Sequence, residues 1–215
     1  MVIEKTIVIL ISGRGSNMEA ILGSRLPVRV ACVISNEPDA KGLVAARALQ
    51  VPTAVVPHRD FPDRAAFDAA LAASIDVHQP DLVVLAGFMR ILADGFISRY
   101  QGRLMNIHPS LLPSFPGLHT HRHALAAGVR IHGCTVHFVT SAVDRGPIIV
   151  QAAVPVLPGD SEETLSARVL REEHRIYPQA IRWFCEGRLN LSPDGAVTVR
   201  GAQARENALR SPVVE

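Results

Sequence analysis

An alternation of short apolar runs with Ala-rich segments through the N-terminal half constrains this chain more than any other feature. Residues 6–11, 28–34, 53–56 and 82–85 are mostly apolar and rich in Val and Ile. Between them, residues 17–22, 43–49 and 63–77 have helical composition. Buried strands separated by helices imply parallel pairing through right-handed crossovers. The predicted class is α/β, built on a doubly wound, mostly parallel sheet. Such a sheet receives its ligands at the carboxyl ends of its strands.

The C-terminal half departs from that alternation. The pattern predicts a loop over 114–119 and a short helix over 120–127 that ends at Gly128. Two strands follow, 129–140 and 148–154, joined by 141–147. Asp160, with Glu163 three residues on, reads as an N-cap acid opening a long helix that carries Leu165, Val169 and Ile176. Pro178 is predicted to kink or interrupt that helix before Trp183 and Phe184. Residues 189–199, split by Pro193-Asp194-Gly195, read as a hairpin, and a loose tail is expected beyond Gly201. With no repeat and no clear linker, the 215 residues are expected to form one domain with two subdomains.

Composition narrows the function classes. The 20% charged and 48% hydrophobic content belongs to a globular chain, and a formal charge of +2 favours no polyanionic partner. Lys5 and Lys41 are the only lysines, and no arginine block forms a polybasic patch. Local anion sites are therefore expected rather than a nucleic-acid surface. Cys32, Cys134 and Cys185 are scattered, odd in number and free of C-x-x-C spacing, which fits a reduced, cytoplasmic protein. No apolar run approaches membrane-spanning length, and 6–11 is too short for a signal peptide's apolar region.

Chemistry concentrates in Asn106-Ile107-His108-Pro109-Ser110-Leu111-Leu112-Pro113. Leu104 and Met105 read as a strand that ends here, since Pro109 and Pro113 forbid a helix. Side chains two residues apart on a strand share a side, so Asn106 and His108 project together. One offers an amide N–H and the other a proton near neutral pH, a pair suited to a carbonyl oxygen that gains charge. Earlier, Ser12-Gly13-Arg14-Gly15-Ser16-Asn17 leaves the first strand and opens a helix, a place for a phosphate. Met18 stands where a dinucleotide fingerprint needs a third glycine, so a monophosphate fits better than a pyrophosphate. The same six residues also read as a plain turn with a Ser or Asn cap.

Other residues are read more plainly. Asp144 would favour protonated His108 if the two met, yet Asp144-Arg145-Gly146 is ordinary turn chemistry. His119, His121 and His123 should splay apart at a helix start, so capping, structural or substrate-contact roles are expected and a metal site is not. Residues 87–92 could line a pocket for a flat ligand with an acidic tail, or Phe88, Ile91 and Leu92 could be core. Arg64 and the pair Glu173-His174 read as solvated helix surface.

Taken together and in this order, these residues resemble the phosphoribosylglycinamide formyltransferases. The resemblance runs from about Ile7 to Trp183. It rests on the Asn106–Pro113 segment, the Gly15-Ser16-Asn17 loop, Leu85-Ala86-Gly87-Phe88-Met89-Arg90-Ile91-Leu92 and Pro116-Gly117-Leu118-His119. Val136-His137-Phe138-Val139, Asp144-x-Gly146-Pro147, Gly159-Asp160 and Glu173-His174 also belong to it.

It implies a Rossmann-like half over 1–100 that binds phosphate, a catalytic and folate-binding half over 101–200 with antiparallel strands and a long helix, and a tail over 201–215. It implies a formyltransferase of purine (IMP) biosynthesis that uses 10-formyltetrahydrofolate, with no metal, and 5'-phosphoribosylglycinamide as acceptor. His108, Asn106 and Asp144 would be catalytic, Asp144 raising the His108 pKa. Gly15, Ser16, Asn17 and Glu173 would hold the ribotide. Arg64, Met89, Arg90, Ile91, Leu92 and Asn106 would hold the folate. Leu170 stands where the family often has a polar or basic group near the phosphate, and Arg14 or Arg171 could replace it. A monomer or weak homodimer, acting on small molecules without nucleic acid or membrane, is expected.

Three alternatives share parts of this pattern. A methionyl-tRNA formyltransferase usually adds a basic C-terminal domain, and a formyl-folate hydrolase usually adds an N-terminal one. A non-catalytic nucleotide-binding module could use the same scaffold.

Overall fold

Each apolar run of the N-terminal half is a strand, and each Ala-rich segment is a helix. The computed structural model describes residues 4–203 and 209–211. Its strands are β1 (Lys5–Ile11), β2 (Val28–Ser35), β3 (Thr53–Val55), β4 (Leu82–Leu85), β5 (Leu104–His108), β6 (Ile131–Phe138), β7 (Ile148–Pro155), β8 (Leu189–Leu191) and β9 (Val197–Val199). Its helices are α1 (Ser16–Gly23), α2 (Lys41–Ala48), α3 (Arg64–Asp76), α4 (Asp94–Arg99), α5 (Thr120–Ala126) and α6 (Glu162–Cys185). A 3₁₀ turn, His58–Asp60, precedes α3.

Seven strands form one sheet in the order β3-β2-β1-β4-β5-β6-β7, and β8 and β9 form the predicted hairpin. β1 pairs in parallel with β2 and β4, β2 with β3, and β4 with β5, whereas β6 and β7 are antiparallel. The doubly wound, mostly parallel sheet with added antiparallel strands and a long helix is thus as expected.

The chain divides into two compact units. One comprises Met1–Asn106 with Phe138–Ser141, the other Ile107–His137 with Ala142–Glu215. In the first, β1 is covered on both faces: Ile7 to Ile11 are wholly buried, as a central parallel strand requires. Val8, Leu10, Ile34, Phe67, Leu71, Ile75, Val83, Phe96 and Tyr100 build its core. In the second, Cys134 and Val154 of the β6–β7 pair pack with Leu165 and Val169 of α6.

Two expectations about α6 need correction. Its N-cap is Ser161, whose side chain accepts from Thr164 N–H while Thr164 Oγ1 accepts from Ser161 N–H. Asp160 is not the cap because Arg168 claims both its oxygens, at 2.7 Å each. That fork holds the Asp160 carboxyl well below the usual carboxylate range. The helix also runs unbroken through Pro178 to Cys185. Burial of Leu165, Val169, Tyr177, Pro178 and Ile181 on one stripe outweighs the single backbone bond that a proline removes.

α4 was not anticipated. It is a six-residue turn opened by Asp94-Gly95, and the burial of Phe96 and Ile97 holds it in place. The tail predicted beyond Gly201 lies mostly outside the described residues.

Candidate active site

β5 ends at His108 because Pro109 offers no further N–H to a ladder. Asn106 and His108 alternate correctly on this strand to share a side. His108 is buried, and its Nε2 lies 3.0 Å from the Phe115 carbonyl. A carbonyl only accepts, so Nε2 carries the hydrogen. Its Nδ1 lies 3.5 Å from Asp144 Oδ2, longer than a normal N–H···O bond. The ring thus has an acceptor on each side, the Phe115 carbonyl at Nε2 and the Asp144 carboxylate at Nδ1. The Nδ1 side is the less firmly engaged of the two, and so the one open to an incoming oxygen.

The structure therefore brings Asp144 to His108, the outcome that turn statistics alone disfavoured. Asp144 adopts φ +53°, a left-handed conformation Asp tolerates. Its Oδ2 also accepts from Gly117 N–H at 2.8 Å, and its Oδ1 lies 3.9 Å from His137 Nε2. Leu112, Pro113, Asp144, Arg145, Gly146 and Ile148 line a pocket at this carboxylate. The loop after His108 is fixed by side chains that the sequence reading did not single out. Thr135 Oγ1 accepts from Leu112 N–H and donates to the Ser110 carbonyl, and Gln151 donates to the Leu112 carbonyl. Thr135 and His137 alternate on a buried strand, so period-2 polarity within β6 was the signal that could have found them.

The histidines after Pro116-Gly117 do splay apart. His119 sits at the α5 N-cap, His123 is exposed, and His121 Nδ1 meets His132 Nε2 at 3.2 Å. Burial lowers the pKa of both members of that pair, His132 to about 4. Among the described residues no group of three His, Cys, Asp or Glu stands together to hold a metal ion. Glu173 is buried on α6, with Leu170 one turn before it and Arg171 exposed. The solvated-surface reading of Glu173 is thus incorrect.

In the first unit, Gly15 caps α1 at φ +79°, with no side-chain cap. Ser16 and Asn17 are therefore not caps but the first helical residues, where backbone N–H groups lack intrahelical partners. A Cβ on Gly15 would stand 2.9 Å from Gly42 Cα, so α1 and α2 meet through two glycines. Arg14 is exposed beside them. Arg64 is the exposed first residue of α3, behind the Asp63 cap. In residues 87–92, Phe88 and Leu92 are buried while Met89, Arg90 and Ile91 face solvent.

Residues 5–181 match the family model described as formyl transferase. The chain belongs to that family. A phosphoribosylglycinamide formyltransferase of Escherichia coli (strain K12) is 52% identical over 194 residues, which cover 88% of this chain and 92% of the relative. The crystal structure of glycinamide ribonucleotide transformylase 1 from Symbiobacterium toebii superposes with a TM-score of 0.89 at 51% identity, covering 92% of this chain and 94% of that one. A formyltetrahydrofolate deformylase from Pseudomonas syringae pv. tomato str. DC3000 also superposes, with a TM-score of 0.83. It is only 31% identical, and the match covers 92% of this chain but 66% of that one. The resemblance drawn from the sequence is borne out, and the chain is a formyltransferase. Among the described residues no helix is long and apolar enough to cross a membrane.

Proposed function

We propose that this chain transfers the formyl group of 10-formyltetrahydrofolate to the amine of 5'-phosphoribosylglycinamide in purine biosynthesis. The observation that carries the chemistry is His108, with Nε2 on the Phe115 carbonyl and Nδ1 turned to Asp144. The acceptor's amine attacks the formyl carbon and forms a tetrahedral centre with an oxyanion. His108 and the Asn106 amide donate to that oxygen. Asp144 favours the charged imidazole and orients it. The proton lost by the amine reaches N10 of the leaving folate through water at the Asp144 carboxylate. No covalent enzyme intermediate is required.

The remaining roles follow the family pattern. Gly15, Ser16 and Asn17 take the ribotide phosphate on backbone N–H groups at the head of α1, and Glu173 takes the glycinamide end. Arg14 or Arg171 stands in for the cation missing at Leu170. Arg64, Met89, Arg90, Ile91, Leu92 and Asn106 receive the folate, with Arg64 on its glutamate tail. The whole is proposed as a single cytoplasmic domain, monomeric or weakly dimeric, that acts on small molecules without nucleic acid or membrane.

Stronger similarity to transformylases than to the deformylase supports an amine rather than water as acceptor. Spectroscopic measurement of folate release, with and without the ribotide, tests this. Release that requires the ribotide is expected. Equal release in its absence would assign a hydrolase, and no release in either case would leave a binding module.

A further inference from the structure

Residues 87–93 run from the end of β4 to the cap of α4 without belonging to a strand or helix. Two side chains from outside hold the stretch. At its start, Met89 N–H donates to Ser12 Oγ at 2.7 Å, and the Ser12 hydroxyl donates onward to Asn36 Oδ1 at 2.5 Å. At its end, Ala93 N–H donates to Asp68 Oδ2 at 2.6 Å. Asp68 comes from α3, one turn after Arg64, and is only 5% exposed.

Asp68 is an unfavourable residue for stability alone. Its Oδ1 is buried with no hydrogen-bond partner. Burial pushes its pKa up, against the pull of the Ala93 N–H and the charges of Arg64 and Arg90. A buried carboxylate with one oxygen unsatisfied costs the fold more than an apolar side chain would. The carboxylate lies within electrostatic reach of both arginines assigned above to the folate, and it fixes the end of the folate segment itself.

We propose that Asp68 is a positioning residue for the formyl donor, holding residues 89–92 in their binding shape through the Ala93 N–H. The inference rests on the donor-side reading above. Asp68 is buried and acts through the Ala93 N–H, so its effect is expected on donor binding and not on the reacting atoms.

Three variants test it, each assayed for the KM of donor and ribotide and for 10-formyltetrahydrofolate binding by calorimetry, with the Ala93 amide resonance followed in the two Asp68 variants. Asp68→Ala should raise the donor KM about tenfold, the typical effect of losing a charge-assisted bond, and move the ribotide KM less than about twofold. Its Ala93 amide should lose protection from exchange. Asp68→Asn keeps an oxygen acceptor and should restore most of the donor KM. Ala93→Pro removes the N–H while suiting the native φ of −77°, and should reproduce the Asp68→Ala effect even if that variant does not fold.

An unchanged donor KM, an equal rise in both KM values, or an Asp68→Asn variant no better than Asp68→Ala would overturn the proposal. Wild-type protein that binds the donor without transferring its formyl group would sink the proposed function alone, and calorimetry of the variants would still decide the positioning role. Wild-type protein that does not bind the donor would sink both.

Discussion

His108 has two acceptors and only one firm bond, and its proposed role turns on that asymmetry. Nε2 is committed to the Phe115 carbonyl, while the Nδ1 side, with Asp144 at 3.5 Å, can admit an oxyanion. Donation to that oxygen matters only as charge develops, so its loss should act on turnover rather than on ground-state binding. His108→Ala and Asn106→Ala should each lower kcat by roughly a hundred- to a thousandfold, with far-UV circular dichroism and thermal midpoint close to wild type. A purified, folded variant of either kind with near-normal kcat would remove that residue from the catalytic set. Residues 106 and 108 were legible because a strand end and two prolines fix which side they face. The groups that complete the arrangement, the Phe115 carbonyl and the Gly117 N–H, are backbone and have no sequence signature. Asp144 was ambiguous for a related reason: a loop residue reaches its partner through a left-handed turn that local pattern does not encode.

At the scale of elements, the strand-to-helix turn between β1 and α1 has an architectural duty beside its proposed role in binding the phosphate. Gly15 needs its positive φ, and its Cα packs on that of Gly42, so the glycine pair sets how closely α1 and α2 approach. Gly15→Ala places a Cβ 2.9 Å from Gly42 Cα in a strained conformation, which should cost about 1–3 kcal/mol. If the head of α1 cradles the phosphate, the same variant should raise the ribotide KM well above any change in the donor KM. Equal changes in both constants would reduce the turn to a packing feature. The same scale explains what the sequence misplaced. Local capping rules chose Asp160 because it is acidic and well spaced, but a tertiary partner, Arg168, had already taken that carboxylate. Pro178 predicts a break only when a helix stands alone, and α6 gains its continuity from a buried stripe that the local rule does not count. The parallel strands were legible for the opposite reason: a strand buried on both faces writes its environment directly into a continuous Val- and Ile-rich run.

For the molecule as a whole, the pair formed by half-buried His121 and buried His132 sets a slope of stability against pH. Burial lowers both pKa values, His132 to about 4 from 6.5, with His121 as the next contributor and His108 adding to it. The folded state keeps the pair neutral while the unfolded chain protonates, so the unfolded state binds more protons below pH 6.5. The stabilisation is therefore complete above about pH 6.5 and is lost as pH falls toward 4. For His132 alone the loss is of the order of 3 kcal/mol. Asp160 and Asp81, with lowered pKa values, lose their contribution from the ordinary carboxylate range downward, mostly below this window. Asp68, with its raised pKa, works in the opposite sense and relieves part of the loss at the acid end. Urea unfolding of wild type and His132→Gln at pH 7 and pH 4.5 separates these contributions. The variant should be the less stable protein at pH 7, because it gives up the ring contacts to Phe115 and His121. It should also lose clearly less stability on acidification than wild type does. Parallel losses in the two proteins would mean that the pair is protonated in the fold as readily as in the unfolded chain, and that the acid slope arises elsewhere.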